Sequence, residues 1–215
     1  KPIEKKEEKV EKKEKKEKKE KKEKKEKKEK KEKKPKNKTP AVKCPPLVQS
    51  FHKAAIVCGK VTKCVPLEGS EKLFLCQLQI SESESRELVT GLQHYYEASE
   101  LEGKMVACIV NLKPAKLAGV MSYAMIIAGS YEEDGKEIVK ILEVPASAAV
   151  GDKIELEEFP TPEPFPLGKN CNDKQWKKIV KEFACFGKIA CVDKMKLKHK
   201  DGYITCDLPD GSEIH

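Results

Sequence analysis

The sequence predicts an all-β chain: a five-stranded barrel followed by a small α+β C-terminal unit docked on it, behind a charged, low-complexity N-terminal tail. Three observations carry this reading. Short apolar runs rich in β-branched residues and bounded by Gly, Pro or Ser recur five times between residues 55 and 128. No helical periodicity of convincing length interrupts them. Charge is also unevenly placed: residues 1–38 hold 22 Lys and 11 Glu, a charge of +11 against +8 for the whole chain, so the other 22 basic and 25 acidic residues leave the body at −3.

The tail, residues 1–40, repeats Glu-Lys-Lys without interruption between Glu11 and Glu32. Each Glu meets a Lys four residues on, which favours a helix by about 0.2–0.5 kcal/mol per pair. The period of three nevertheless winds the charges around the axis and leaves no apolar stripe to pack. Two readings stand side by side: a solvated spacer, partly helical or disordered, or a lysine-rich arm with salt-sensitive attraction to an RNA backbone. Pro35, Pro40, Pro45 and Pro46 end any helix, and residues 41–50 are read as a linker with a short helical lead-in from Leu47.

Residues 55–65 read as the first strand, with Gly59 as a bulge or bend. Residues 66–72 form a turn, 73–80 the second strand, 81–85 a polar turn and 86–90 the third strand. A connection through Tyr95 and Tyr96 leads to the fourth strand at 105–110 and the fifth at 120–128. Between these two lie residues 111–119. Pro114 has no amide hydrogen for a sheet ladder and Gly119 admits unusual backbone angles, so the segment is read as a loop, not a plain two-residue hairpin turn. Lys113 and Lys116 are expected at its tip, a positioned cationic pair suited to phosphate oxygens. A five-stranded Greek-key barrel uses the loop joining strands 4 and 5, together with its strand 2–3 face, to hold oligonucleotides.

Residues 51–160 are assigned to the barrel domain and 161–215 to the C-terminal unit. Further strands are expected at 138–144 and 153–156, before a proline-rich break at 160–166. Asp173 is read as the cap of a helix in which Trp176, Ile179, Val180 and Phe183 recur at i, i+3, i+4 and i+7. Trp176 is read as packing. Strands follow at 187–192 and 203–208, and 193–200 reads as an exposed basic turn. The unit is too small to bury a full core alone.

Nine cysteines occur, an odd number with no Cys-x-x-Cys, and several lie in apolar runs. Buried free thiols are expected, a cytoplasmic signature. No apolar span approaches 18 residues and no secretory signal is present, so no membrane partner is expected. His52, His94, His199 and His215 show neither metal-ligand spacing nor a paired nucleophile, and the glycines form no phosphate-cradling pattern. No catalytic residue, metal or cofactor is expected in this segment. The chain begins with Lys1 and not Met, which raises the expectation of a fragment or processed product.

Four segments carry a resemblance: Leu-Val-Thr-Gly-Leu at 88–92, Leu-Glu-Gly-Lys at 101–104, Asn-Leu-Lys-Pro-Ala-Lys at 111–116 and Gly-Val-Met-Ser-Tyr-Ala-Met at 119–125. With them, residues 51–215 resemble the tRNA-binding domain family of endothelial monocyte-activating polypeptide II and of the C-terminal extensions of tyrosyl- and methionyl-tRNA synthetases. The resemblance implies an OB-fold that binds tRNA outside the anticodon and adds affinity to an aminoacyl-tRNA synthetase, in cis or in trans. It implies a tRNA site at Asn111, Lys113, Lys116, Ser122 and Met125: lysines for phosphates, Asn and Ser for hydrogen bonds to the nucleotide, Met for a base face. The implied partners are tRNA and a synthetase or multi-synthetase complex. Residues 161–215 resemble the cytokine-like C-terminal domain that mimics a second subunit, which implies a monomer. An alternative is the C-terminal part of a methionyl-, lysyl- or tyrosyl-tRNA synthetase serving chiefly as a scaffold or in cytokine-like protein interaction. Two departures stand out. The first loop, 65–74, lacks the family's His, and position 118 is Ala where many relatives carry Arg or another residue.

Overall fold

The computed structural model describes residues 44–215. The readings of residues 1–43, as spacer or RNA arm, lie outside the described residues.

Helix α1 (Pro46–Phe51) comes first, with Pro at its first turn, where the missing amide costs no hydrogen bond. Its Val48 and Phe51 are buried in the core shared with Ile179 and Phe183. Strands β1 (Ile56–Pro66), β2 (Phe74–Gln79) and β3 (Ser85–Thr90) follow as an antiparallel meander, and helix α2 (Ala98–Leu101) leads to β4 (Met105–Ile109). Next come β5 (Ala115–Leu117), β6 (Val120–Ser122), β7 (Met125–Ile126), β8 (Ala128–Glu133), β9 (Lys136–Ile141) and β10 (Glu155–Leu156). A 3-10 turn at Pro166–Gly168 and helix α3 (Asp173–Val180) precede β11 (Phe183–Phe186), β12 (Ile189–Val192), β13 (Met195–His199), β14 (Gly202–Tyr203) and β15 (Glu213–Ile214).

The barrel sheet has the order β3-β2-β1-β4-β7. Its ends approach through the link after β6, where Tyr123 donates its N–H to the carbonyl of Glu87 in β3 at 2.9 Å. Strands β1 and β4 explain why their sequences are apolar at nearly every position. Val57, Val106 and Cys108 point into the barrel, whereas Ile56, Cys58, Ala107 and Ile109 point outward into a second core with Ile179, Phe183, Val192, Leu197 and Ile214. A strand buried on both faces loses the alternation that marks a half-exposed one. The C-terminal residues therefore complete the covering of β1 and β4, and β15 pairs with β8 to join them to the same eight-stranded sheet.

Several expectations are corrected. The register slip in β1 lies between Val61 and Lys63, leaving Thr62 as the extra residue; Gly59 instead permits a close approach, since a Cβ there would stand 2.9 Å from Cys108 Sγ and from Leu78. The fifth run divides into β6, β7 and the start of β8. The cap of α3 is Asn172, whose side chain accepts the N–H of Gln175, and Phe183 falls in β11, buried but outside the helix. The basic run 193–200 is largely strand β13, because Leu197 and His199 turn inward while the lysines between them face out.

Candidate nucleic-acid interface

Residues 115–122 fold as a hairpin with a two-residue turn, in place of the loop expected over 111–119 from Pro114 and Gly119. Pro114 sits just before β5, so the ladder needs no amide from it, and β5 pairs with β6 through Ala115–Ser122, Lys116–Met121 and Leu117–Val120. Two residues make the turn. Ala118 and Gly119 have φ of 44° and 88°, the left-handed angles of a type I′ turn that matches the twist of the flanking strands. Glycine adopts this freely; alanine there costs about 1–2 kcal/mol. The tip is thus Ala118-Gly119, with Lys116 on the ascending arm and Lys113 at the base. Both lysines are exposed, and among the described residues neither ammonium has a carboxylate within ion-pair distance.

Asn111 and Ser122 differ from the lysines. Asn111 is 3% exposed; its Oδ1 accepts the N–H of Ala55 at 2.8 Å, and Nδ2 shares its hydrogens among the carbonyls of Lys53, Pro166 and Lys169 at 2.8–3.0 Å. Ser122, 8% exposed, accepts the N–H of Val89 at 3.1 Å and donates to the carbonyl of Ala124 at 2.9 Å. The amide and the hydroxyl thus spend most of their hydrogen bonds on the protein itself, with one acceptor site left on each oxygen. Met125 is half-buried. With Lys113 and Ser122 it lines a notch of about 100 Å³ under the hairpin. The structure therefore brings these three together, sets Lys116 above them on the hairpin and places Asn111 behind.

Sequence reasoning missed three neighbours. Arg86 donates to Glu84 and to the carbonyl of Val110. Tyr123 is 44% exposed and Leu167 is 52% exposed. Read as part of one continuous buried strand, Tyr123 had no reason to face out. It does so because Ser122 and Ala124 on either side are buried. Leu167 lies just past the proline-rich break, in the 3-10 turn, where no periodicity signals orientation. Tyr123, Leu167 and Arg86 line a groove of about 660 Å³ beside the hairpin base, floored by Gln77 and Glu87. Gln77 donates to Glu87 across β2 and β3 at 3.2 Å.

No helix of the described residues is long and apolar enough to cross a membrane, and among them no cluster of His, Cys, Asp and Glu could hold a metal ion.

Residues 56–153, which include the hairpin and most of the barrel, match the family described as "Putative tRNA binding domain". The chain is 40% identical over 106 residues to the methionine–tRNA ligase of Methanosarcina acetivorans, spanning 49% of this chain and 14% of that protein. It is 35% identical over 107 residues to that of Clostridium tetani, with 50% and 16% covered. Against the cytoplasmic tyrosine–tRNA ligase of Danio rerio it is 29% identical over 157 residues, 73% of this chain and 29% of the relative. The chain thus spans less than a third of each of these proteins. Among solved structures, the C-terminal domain of Plasmodium vivax p43 shares the fold, with a TM-score of 0.66 and 22% identity over 77% of this chain and 98% of that one.

Proposed function

Because residues 56–153 of this chain belong to the tRNA-binding domain family, we propose that it binds tRNA outside the anticodon and adds that affinity to an aminoacyl-tRNA synthetase, in cis or in trans. The observation that carries the reading is the hairpin: on a body of charge −3 it holds Lys113 and Lys116 exposed and close together, a local cationic pair that an anion can meet. Lysines serve phosphates as point charges and read shape more than sequence. Met125 offers a polarisable apolar surface beside them. Asn111 and Ser122 act in this site by fixing the backbone from which the contacts project.

The synthetase partnership is supported by the ligases that carry related segments. Residues 51–160 serve as the RNA-binding domain and 161–215 as its cover. A monomer is supported by that cover, which occupies the outward face of β1 and β4 that a bare barrel would need to bury against another copy. A cytoplasmic setting is supported by the nine free thiols.

The experiment is tRNA binding measured across a salt series, with wild type and K113E/K116E. Wild-type affinity should fall linearly in log–log form, and the variant should bind more weakly with a slope shallower by about 0.7–0.9 per lost phosphate contact. Equal affinity and slope for both proteins would remove the lysines from the site.

A further inference from the structure

The groove beside the hairpin base has a character that phosphate binding does not explain. Its cation is already engaged, and its carboxylate disfavours an anion: Arg86 is held by Glu84 and the Val110 carbonyl, and Glu87 accepts from the neutral Gln77 amide and keeps its negative charge. Two large apolar side chains, Tyr123 and Leu167, are presented to solvent in it beside polar groups of Ser85, Gln77 and Asn170. A phosphate gains nothing from such a lining. A nucleobase does, since its faces stack on an aromatic ring and its edges carry mixed donors and acceptors. At about 660 Å³ the groove lies within the range of small-molecule sites, about 300–1,000 Å³.

The two buried polar residues of the interface are aimed at these apolar side chains. Ser122 accepts the N–H of Val89 and donates to the carbonyl of Ala124, and Tyr123 itself donates to the Glu87 carbonyl, so the backbone is tied on both sides of the exposed ring. Asn111 holds the carbonyls of Pro166 and Lys169, which bracket Leu167. A large apolar side chain left in water yet fixed at its backbone gives up little conformational freedom on binding.

We propose that this groove seats an unpaired base of the bound RNA, with Tyr123 as the stacking platform, Leu167 as a second apolar wall, and Ser122 and Asn111 as positioning residues. The occupant is a nucleotide and not a protein side chain because Lys113, at the hairpin base, adjoins the groove through Leu112 and Tyr123, which line both cavities. The backbone of a nucleotide placed there would meet a cation. The inference rests on the chain being an RNA binder.

The test measures the full chain against an unmodified tRNA transcript and against a blunt, fully paired RNA duplex, at one salt concentration and then across a series. Y123A should weaken tRNA binding about tenfold, since a stacked base contributes about 1–3 kcal/mol. Y123F should stay within twofold. The salt slope should not change, because stacking releases no counterions, and affinity for the paired duplex should be unaltered. S122A should reproduce part of the loss on tRNA alone, and S122A/Y123A should lose no more than Y123A, the non-additivity expected if the hydroxyl acts through the ring. Unchanged tRNA affinity of Y123A, with K113E/K116E weakened, would overturn the groove and leave the lysine site standing; a groove filled by a protein would give this result. Equal losses on tRNA and duplex would also overturn it. Failure of the wild type to bind tRNA would sink the functional reading itself.

Discussion

Asn111 accepts the backbone N–H of Ala55 at 2.8 Å, joining the start of β1 to the residue where the chain leaves β4 for the hairpin. The same amide reaches the 3-10 turn at Pro166–Gly168, so one side chain ties together the barrel entry, the hairpin base and the start of the C-terminal unit. Asn111→Ala would leave a buried N–H and several carbonyls unpaired. The expected cost is about 1–3 kcal/mol, a drop in Tm of roughly 2–4 °C per kcal/mol for a domain of this size. Asn111→Asp should cost more than Asn111→Ala, because it sets a carboxylate against carbonyl oxygens. Thermal unfolding of the two variants orders them; the reverse order would contradict the hydrogen-bond assignment.

The hairpin turn gives a prediction of the opposite sign. Ala118 has φ of 44° where Asn or Gly is preferred. Replacing it with Asn creates the Asn-Gly pair that suits a type I′ turn, and A118N should raise stability by up to about 1 kcal/mol. Affinity for tRNA should hold or improve slightly, since Lys113 and Lys116 keep their places on a firmer hairpin. Chemical denaturation and a binding isotherm read both. A loss of stability in A118N would mean the turn is not left-handed at this position.

Much of this hairpin was hidden in the sequence for a specific reason. Pro114 and Gly119 were visible as breakers, but a breaker does not say on which side of a strand it falls; Pro114 lies one residue before β5 and Gly119 inside the turn, so both are compatible with the short ladder between them. The barrel strands were legible because their apolar runs are long and bounded. The lysines were legible as exposed cations. Asn111 and Ser122 were legible as special but not as buried, since residue type alone does not distinguish a hydrogen bond to a ligand from one to a neighbouring strand. Strand β13 was masked by its lysines: their charge concealed Leu197 and His199, the inward half of an ordinary alternation.

Asp152 predicts the acid limb of stability. The N–H of Ala149, then His199 Nε2 at 2.9 Å and the Lys200 ammonium hold its carboxyl down to about 2. A carboxylate with a depressed folded value stabilises the native state above the ordinary Asp range near 3.8, and that contribution is lost as pH falls from there through about 2. Asp152→Asn should therefore lower stability at pH 7, by about 1.5–3 kcal/mol for charge-assisted hydrogen bonds. The gap from wild type should close by pH 2. Paired Tm measurements at pH 7, 4 and 2 decide it, and a gap that is constant with pH would rule out a role for the charge.

The cysteines predict the alkaline limb and a reactivity pattern. Eight of the nine are buried, with Cys44 partly exposed. Burial pushes the Cys58 thiol up to about 12 and Cys171 to about 11, and raises Cys76, Cys108 and Cys206 further. Thiols held neutral in the fold would ionise in the unfolded chain near 9, so stability is intact below that value and declines as pH rises through the folded values. At pH 8 the thiolate is the reactive form, and a buried thiol supplies almost none. A colorimetric thiol reagent should titrate about one cysteine quickly in the native protein and all nine in denaturant, and Cys44→Ser should abolish the fast phase. Two or more fast thiols in the native state would place a second cysteine at the surface and contradict the two cores into which β1 and β4 are packed.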